Sequence, residues 1–142
     1  MKPTDTQLII RKINLIRNDF PRLEDIAKLN FDQYLADIDS QLISERLLER
    51  IITRLIDINY HILKTKFNLL PTDYTDSFVK LVKTKTITPE MFQNLSPSAG
   101  LRNHLAHEYD DIDPAQVYKG MKNLLKYLPG YLNHLLSQLD LK

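Results

Sequence analysis

The sequence predicts an all-α protein, an antiparallel bundle of about five helices spanning residues 1–142 as one domain. Three observations predict it. Apolar residues recur at steps of three and four over long stretches, the spacing of one helical face. Only 3 of 142 residues are glycine, too few to punctuate the short strands of a sandwich or barrel. Hydrophobic residues make up 43% and charged residues 26% of the chain, which is material for one core and reads neither as a disordered tail nor as a membrane bundle.

The first helix is read from Thr6 to Ile38, with Ile9, Ile13, Ile16, Phe20, Leu23 and Ile26 as its apolar stripe. Pro21 lies inside it without an amide to donate, which predicts a kink or break near Asp19 and Phe20. The second helix is marked by Leu47, Ile51, Leu55, Ile58 and Ile62, capped by Asp39 or Ser40 and ending before Pro71. A short third covers Asp73 to Lys85 and carries Phe78, Leu81 and Val82. Thr88 and Pro89 open a fourth that runs toward Tyr109, because the hydroxyl caps a free amide while proline in first position loses no bond. Asp113, Pro114 and Gln116 repeat that logic as a capping box and open the last helix. Its stripe is Val117, Met121, Leu124, Leu128, Leu132, Leu135 and Leu139, and Pro129 with Gly130 predicts a bend. Surplus apolar residues on the first, second and last helices suit a homodimer face.

The sequence has no cysteine, which removes disulfide scaffolds, thiolate metal sites and cysteine nucleophiles together. With 19 Lys plus Arg against 18 Asp plus Glu, the net charge is +1, so any nucleic-acid binding must be local. Neither a signal-peptide core nor a bilayer-spanning stretch is present, and a cytoplasmic location without membrane contact is expected. Walker loops, dinucleotide-binding glycines, nucleophile elbows and zinc-binding HExxH helices are also missing.

One stretch differs. Leu101 to Asp113 reads LRNHLAHEYDDID and gathers Arg102, Asn103, His104, His107, Tyr109 and four acids. On a continuous helix Arg102 and Tyr109 share nearly one line, and Asn103 and His107 form a neighbouring i,i+4 pair. Arginine offers a fixed, permanently charged fork for phosphate oxygens, and histidine exchanges a proton near neutral pH. Together they suit phosphodiester chemistry. Cleaving RNA by internal transfer needs one group to take the 2′-hydroxyl proton and another to protonate the leaving oxygen. One chain supplies one clear candidate, His107, and a two-fold dimer would supply two. Taken alone, these residues read first as a charged helix end with an incidental imidazole.

The string from Arg102 to Tyr109 resembles the R-x4-6-H motif of HEPN-domain ribonucleases, in the R-x4-H-x-Y form of HepT-like toxins. The likeness extends to the helix order and to the Tyr-Asp-x-Ile-Asp-Pro phrase at Tyr109 to Pro114. The resemblance implies a homodimeric HEPN-like bundle that acts as a metal-independent endoribonuclease, with its cleft between two protomers and no cofactor. Arg102 would hold the scissile phosphate, His107 would transfer protons, and Asn103 would help orient the site, leaving a 2′,3′-cyclic phosphate. Tyr109 matches the tyrosine that a cognate minimal nucleotidyltransferase antitoxin modifies with AMP, an off-switch that adds charge and bulk beside the Arg102 line. Glu108, Asp110, Asp111 and Asp113 should weaken RNA attraction unless they point away or pair with arginines. Two other readings stand beside this one: a non-catalytic HEPN subunit that partners a nucleotidyltransferase or accepts its AMP, and a plain helical interaction module.

His104 and His107 with Asp110 or Asp111 also have the spacing to meet a metal, but no remote fourth ligand is evident and no metal site is assigned. His104 reads more simply as a capping or solvent-facing residue. His61 is explained by core packing or a helix-side hydrogen bond, and His134 by its place near the end of the last helix. Three basic groups, Arg46/Arg50/Arg54, Lys119/Lys122/Lys126 and the lysines at 64, 66, 80, 83 and 85, read either as solvated helix faces or as a path for phosphates toward the cleft. Convergence in space would separate the two.

Overall fold

Most of the helices begin where a side chain closes the free amides of the first turn, and these caps set the architecture. The computed structural model describes residues 1–139. Helix α1 (Pro3–Ala27) opens with proline in its first turn, while the Lys2 amide donates to Asp5 at 3.3 Å. The helix runs unbroken through Pro21, which is exposed, so the carbonyl that loses its partner faces water. The break comes later, at Lys28–Asn30. Asn30 accepts from the Gln33 amide at 2.8 Å and Gln33 accepts from the Asn30 amide at 2.9 Å, a reciprocal cap that starts α2 (Phe31–Ala36). The first predicted helix is therefore two.

Helix α3 (Ile38–Phe67) is capped by neither Asp39 nor Ser40. Asp37 accepts from both the amide and the hydroxyl of Ser40, at 3.1 and 2.9 Å, so Ser40 is the capped partner. The helix ends at Asn68, in the left-handed region with φ 53°, and the Leu69 amide closes back on Leu63 at 3.0 Å. Helix α4 (Tyr74–Lys83) starts on Asp73, which accepts from the Asp76 amide at 2.7 Å. The fourth predicted helix divides at Ser96–Pro97 into α5 (Pro89–Leu95) and α6 (Pro97–His107), with Pro97 taking the first position of α6. One 3₁₀ turn (Tyr109–Asp111) then leads to α7 (Pro114–Gln138). Asp113 caps α7 through the Ala115 amide at 3.0 Å, and the predicted return bond from Gln116 does not form. Helix α7 is continuous through Pro129.

The buried residues make one continuous cluster around α3, which touches α1, α2, α4, α6 and α7. The predicted stripes are its members, except that Val82 and Leu139 are only partly buried. Truncating a fully buried α3 residue such as Ile58 should cost about 2–5 kcal/mol. A polar thread crosses this apolar interior. The Tyr131 hydroxyl donates to Asn59 Oδ1 (2.7 Å), Asn59 Nδ2 donates to Ser77 Oγ (3.2 Å), and the Ser77 hydroxyl donates to the Tyr74 carbonyl (2.7 Å). Burial pushes the Tyr131 phenol far above its ordinary range, so it stays a donor. The thread ties α7 and α3 to the start of α4. A second device sets α6 against α7: a Cβ on Gly120 would lie 2.5 Å from Leu101 Cδ2, so the bare glycine permits the close approach.

Exposed large apolar residues fall on α1 (Leu8, Ile10), around the α2–α3 junction (Leu35, Ile38, Leu42) and just after α3 (Leu69, Leu70), with Met1 and Tyr109 besides. Among the described residues α7 contributes none, unlike the expected homodimer face. No helix is long and apolar enough to cross a membrane among the described residues.

Candidate active site

Helix α6 carries Arg102, Asn103, His104 and His107, and its two sides differ. Arg102 is half-buried toward α3 and α4. Its Nε donates to Thr53 Oγ1 at 3.1 Å, and its guanidinium carbon lies 5.3 Å from the centre of the Tyr74 ring. The Tyr74 ring in turn meets Tyr60 edge-on at 6.1 Å. Arg102 has no ion pair among the described residues, so a permanently charged fork is braced along one edge by neutral groups that leave its charge uncompensated.

His107 sits at the last turn, about 140° further around the axis at 100° per residue. It is exposed, and neither ring nitrogen has a hydrogen-bond partner among the described residues. Asn103, one turn earlier, shares its side of the helix. Both line an open groove of about 1230 Å³ between α5–α6 and α7. The predicted Asn103–His107 pair is thus brought together, whereas Arg102 lies on the neighbouring face, outside the groove lining. The predicted line from Arg102 to Tyr109 does not exist. The helix ends at His107, and Tyr109 stands on the 3₁₀ turn with 70% of its surface exposed.

His104 has a different role from His107. Its Nδ1 lies 2.5 Å from Glu108 Oε2 and its Nε2 lies 3.2 Å from the Asp111 carbonyl, so it pins the end of α6 to the following turn. The hydrogen bond with Glu108, aided by Asp111, raises its pKa above the ordinary imidazole value. The arrangement also disposes of two of the four acids: Glu108 is paired, with a histidine rather than an arginine, and Asp113 caps α7. Asp110 and Asp111 remain exposed. No group of three or more His, Asp or Glu side chains converges among the described residues. His61 Nε2 rests 3.2 Å from Asp5 and His134 Nε2 2.9 Å from the Thr86 carbonyl, both away from this site.

Thr53 and Tyr74 are the residues that sequence reasoning passes over. They touch Arg102 but stand on other helices, and the Thr53 contact spans 49 positions. No local spacing announces such a contact.

Comparison with known proteins adds a family. The family described as Ribonuclease HepT-like matches residues 15–135. The chain is 40% identical over 133 residues to a protein of Aphanizomenon flos-aquae named tRNA nuclease HepT, covering 93% of this chain and 90% of that one. It is 30% identical over 108 residues to one of Shewanella oneidensis named mRNA nuclease HepT, covering 75% and 79%. Among solved structures, a tri-AMPylated Shewanella oneidensis HEPN toxin in complex with MNT antitoxin superposes with a TM-score of 0.82 at 25% identity, over 96% of this chain and 99% of that one. A toxin–antitoxin complex with AMP-PNP shares the fold with a TM-score of 0.82 at 24% identity, over 92% and 98%.

Proposed function

Because the chain belongs to the HepT-like ribonuclease family, we propose that it is a metal-independent endoribonuclease, the toxin of a toxin–antitoxin pair, with Arg102 and His107 as its catalytic residues. The reading rests on His107, an exposed imidazole without a partner among the described residues, carried on the same helix as a guanidinium already braced for an anion. His104 is not the missing second imidazole, since Glu108 and Asp111 occupy both of its nitrogens. A second copy of the chain supplies it, and the active cleft forms between the two copies.

In that cleft a neutral His107 takes the proton from a ribose 2′-hydroxyl as the oxygen attacks the adjacent phosphorus. Arg102 holds the phosphate and balances the charge that builds on the phosphorane. The protonated His107 of the partner subunit gives its proton to the departing 5′-oxygen. The products are a 2′,3′-cyclic phosphate and a free 5′-hydroxyl. Asn103, one turn from His107, orients the ribose or the ring.

RNA cleavage in EDTA tests this. Wild-type protein is expected to degrade RNA, and His107→Ala and Arg102→Ala each to lose roughly 10²–10⁴ of the rate. Unchanged cleavage in either variant removes the mechanism.

The exposed Tyr109 hydroxyl is the proposed acceptor of AMP from a cognate minimal nucleotidyltransferase antitoxin. Its oxygen attacks the α-phosphate of ATP and pyrophosphate leaves. This exposure also favours a second reading, in which the protein is a non-catalytic acceptor or partner subunit, because acceptance needs no working nuclease. Intact mass after incubation with the transferase and ATP should rise by AMP units in wild type and not in Tyr109→Phe. A modified protein whose unmodified form cuts no RNA would favour the second reading.

A further inference from the structure

The sequence holds three basic groups, and the structure treats them differently. Arg50 and Arg54 both reach Asp19, at 3.4 and 3.1 Å, and Arg46 reaches Glu49 at 3.6 Å. Lys80 is paired with Asp76, while Lys64, Lys66, Lys83 and Lys85 have no ion pair among the described residues but lie outside the groove lining. Lys119, Lys122 and Lys126 on α7 have no ion pair among the described residues, are exposed, and all three line the groove that holds Asn103 and His107. Their spacing of three and four residues puts them on one face over roughly 10.5 Å of helix axis. The single acid in the lining, Glu108, is already bonded to His104. The Lys122 ammonium lies 5.0 Å from the Tyr118 ring and that of Lys126 lies 5.2 Å from Tyr127. These contacts steady the lysine stems without neutralising them.

We propose that the groove between α5–α6 and α7 is a binding track for the sugar–phosphate backbone of single-stranded RNA, in which Lys119, Lys122 and Lys126 contact phosphates leading to His107. The proposal rests on the ribonuclease reading and adds where the substrate lies. At about 1230 Å³ the groove exceeds the roughly 300–1,000 Å³ usual for a small-molecule pocket, which favours a polymer over a mononucleotide. Asn94, Asn103 and Gln116 offer amide donors and acceptors, and Tyr127 a ring face, to bases turned inward, the means by which unpaired RNA is held. A paired strand has its bases stacked away and its 2′-oxygen poorly aligned for in-line attack.

Two triple variants of the full chain test the track: Lys119→Gln/Lys122→Gln/Lys126→Gln, and a control with the same charge change elsewhere, Lys64→Gln/Lys83→Gln/Lys85→Gln. All six side chains are exposed, so both variants should fold. Binding of a short 2′-O-methyl oligoribonucleotide, which cannot be cut, is followed by anisotropy between about 50 and 200 mM salt. The slope of log affinity against log salt should become shallower by about 0.7 for each phosphate that is no longer neutralised, about 2 for the groove variant. The control should keep the wild-type slope. In cleavage assays the groove variant should raise KM and hold kcat within about twofold, since the lysines bind without entering the chemistry. A protein that cuts RNA while its groove variant keeps both slope and KM overturns the track. Unchanged RNA binding with impaired neutralisation by the antitoxin assigns the lysines to an acidic protein surface and also overturns it. Lysine-dependent binding by a wild-type protein that cuts nothing upholds the track and overturns the nuclease reading.

Discussion

The two sides of α6 are built on opposite plans. On one, Arg102 is packed against α3 and α4 and held by Thr53 and Tyr74; on the other, His107 stands at the rim of an open groove with nothing bonded to its ring among the described residues. On the proposed mechanism, the difference follows from what each group must do. A guanidinium never gives up its charge, so bracing it costs no function and removes the entropy of finding the phosphate. An imidazole that must gain and lose a proton is best left free of fixed partners that would hold it in one state. His104, three residues away, shows the alternative outcome: two partners and a raised pKa turn an imidazole into a structural pin.

The largest expected effect sharpens this contrast directly. Arg102→Ala and His107→Ala should both abolish cleavage, but their stabilities should differ. Removing Arg102 strips a hydrogen bond and a ring interaction from the α3–α4 side and should cost about 1–2 kcal/mol. Removing the exposed His107 should stay within about 0.5 kcal/mol. Urea unfolding of the two variants measures this, and equal destabilisation would break the comparison. Arg102→Lys should not restore cleavage, because an ammonium cannot keep both the Thr53 bond and a forked grip on phosphate.

Next in size is the buried thread under the Arg102 side. Asn59→Leu leaves the Tyr131 hydroxyl without its acceptor and Ser77 without its donor, at about 2–3 kcal/mol by denaturant unfolding. Because Ser77 bonds the Tyr74 carbonyl, cleavage should also fall through kcat, with KM little changed. A variant as stable as wild type would mean that the thread does not position α4. Tyr74→Leu isolates the ring itself. With a stacking contribution of about 1 kcal/mol, kcat should drop by roughly fivefold with KM little changed, and Tyr74→Phe should recover it. A Phe variant as slow as Leu would move the role from the ring face to the hydroxyl.

These residues also show where sequence reading stops. The helical stripes, the Thr88 and Asp113 caps, and the Arg102–Tyr109 string are local, and spacing alone reveals them. The first helix reads as one because Tyr34 continues the apolar rhythm past the reciprocal Asn30–Gln33 cap, whose capping-box spacing is the signal that could have marked the break. The fourth divides at Pro97 even though Ser96 before it keeps helical angles, φ −58° and ψ −32°. The ideal-helix line from Arg102 to Tyr109 fails for a related reason, since His104 folds the chain end onto Glu108 and Asp111. Thr53 and Tyr74 are out of reach because their meeting with Arg102 is tertiary. The three basic groups look alike as sequence; Asp19 and Glu49 pair the arginines, and only a place in the groove separates Lys119, Lys122 and Lys126 from the lysines at 64, 66, 83 and 85.

The smallest expected effect compares the two histidines on the groove side. The Glu108 bond raises the folded pKa of His104 above 6.5. A group shifted in this direction stabilises fully below its unfolded pKa, and that contribution disappears as pH rises through the folded value. The melting temperature of wild type should therefore exceed that of His104→Gln most at pH below 6.5, down to the range where carboxylates protonate. The gap should close as pH rises. The pair is open to solvent, so the gap should be small and should shrink with added salt. Proton NMR follows the His104 ring, which should titrate above 6.5, while the acid limb of the cleavage profile should not track it. If the profile instead tracks His104, then the pinned imidazole is the working one and the division between a braced side and a free side is wrong.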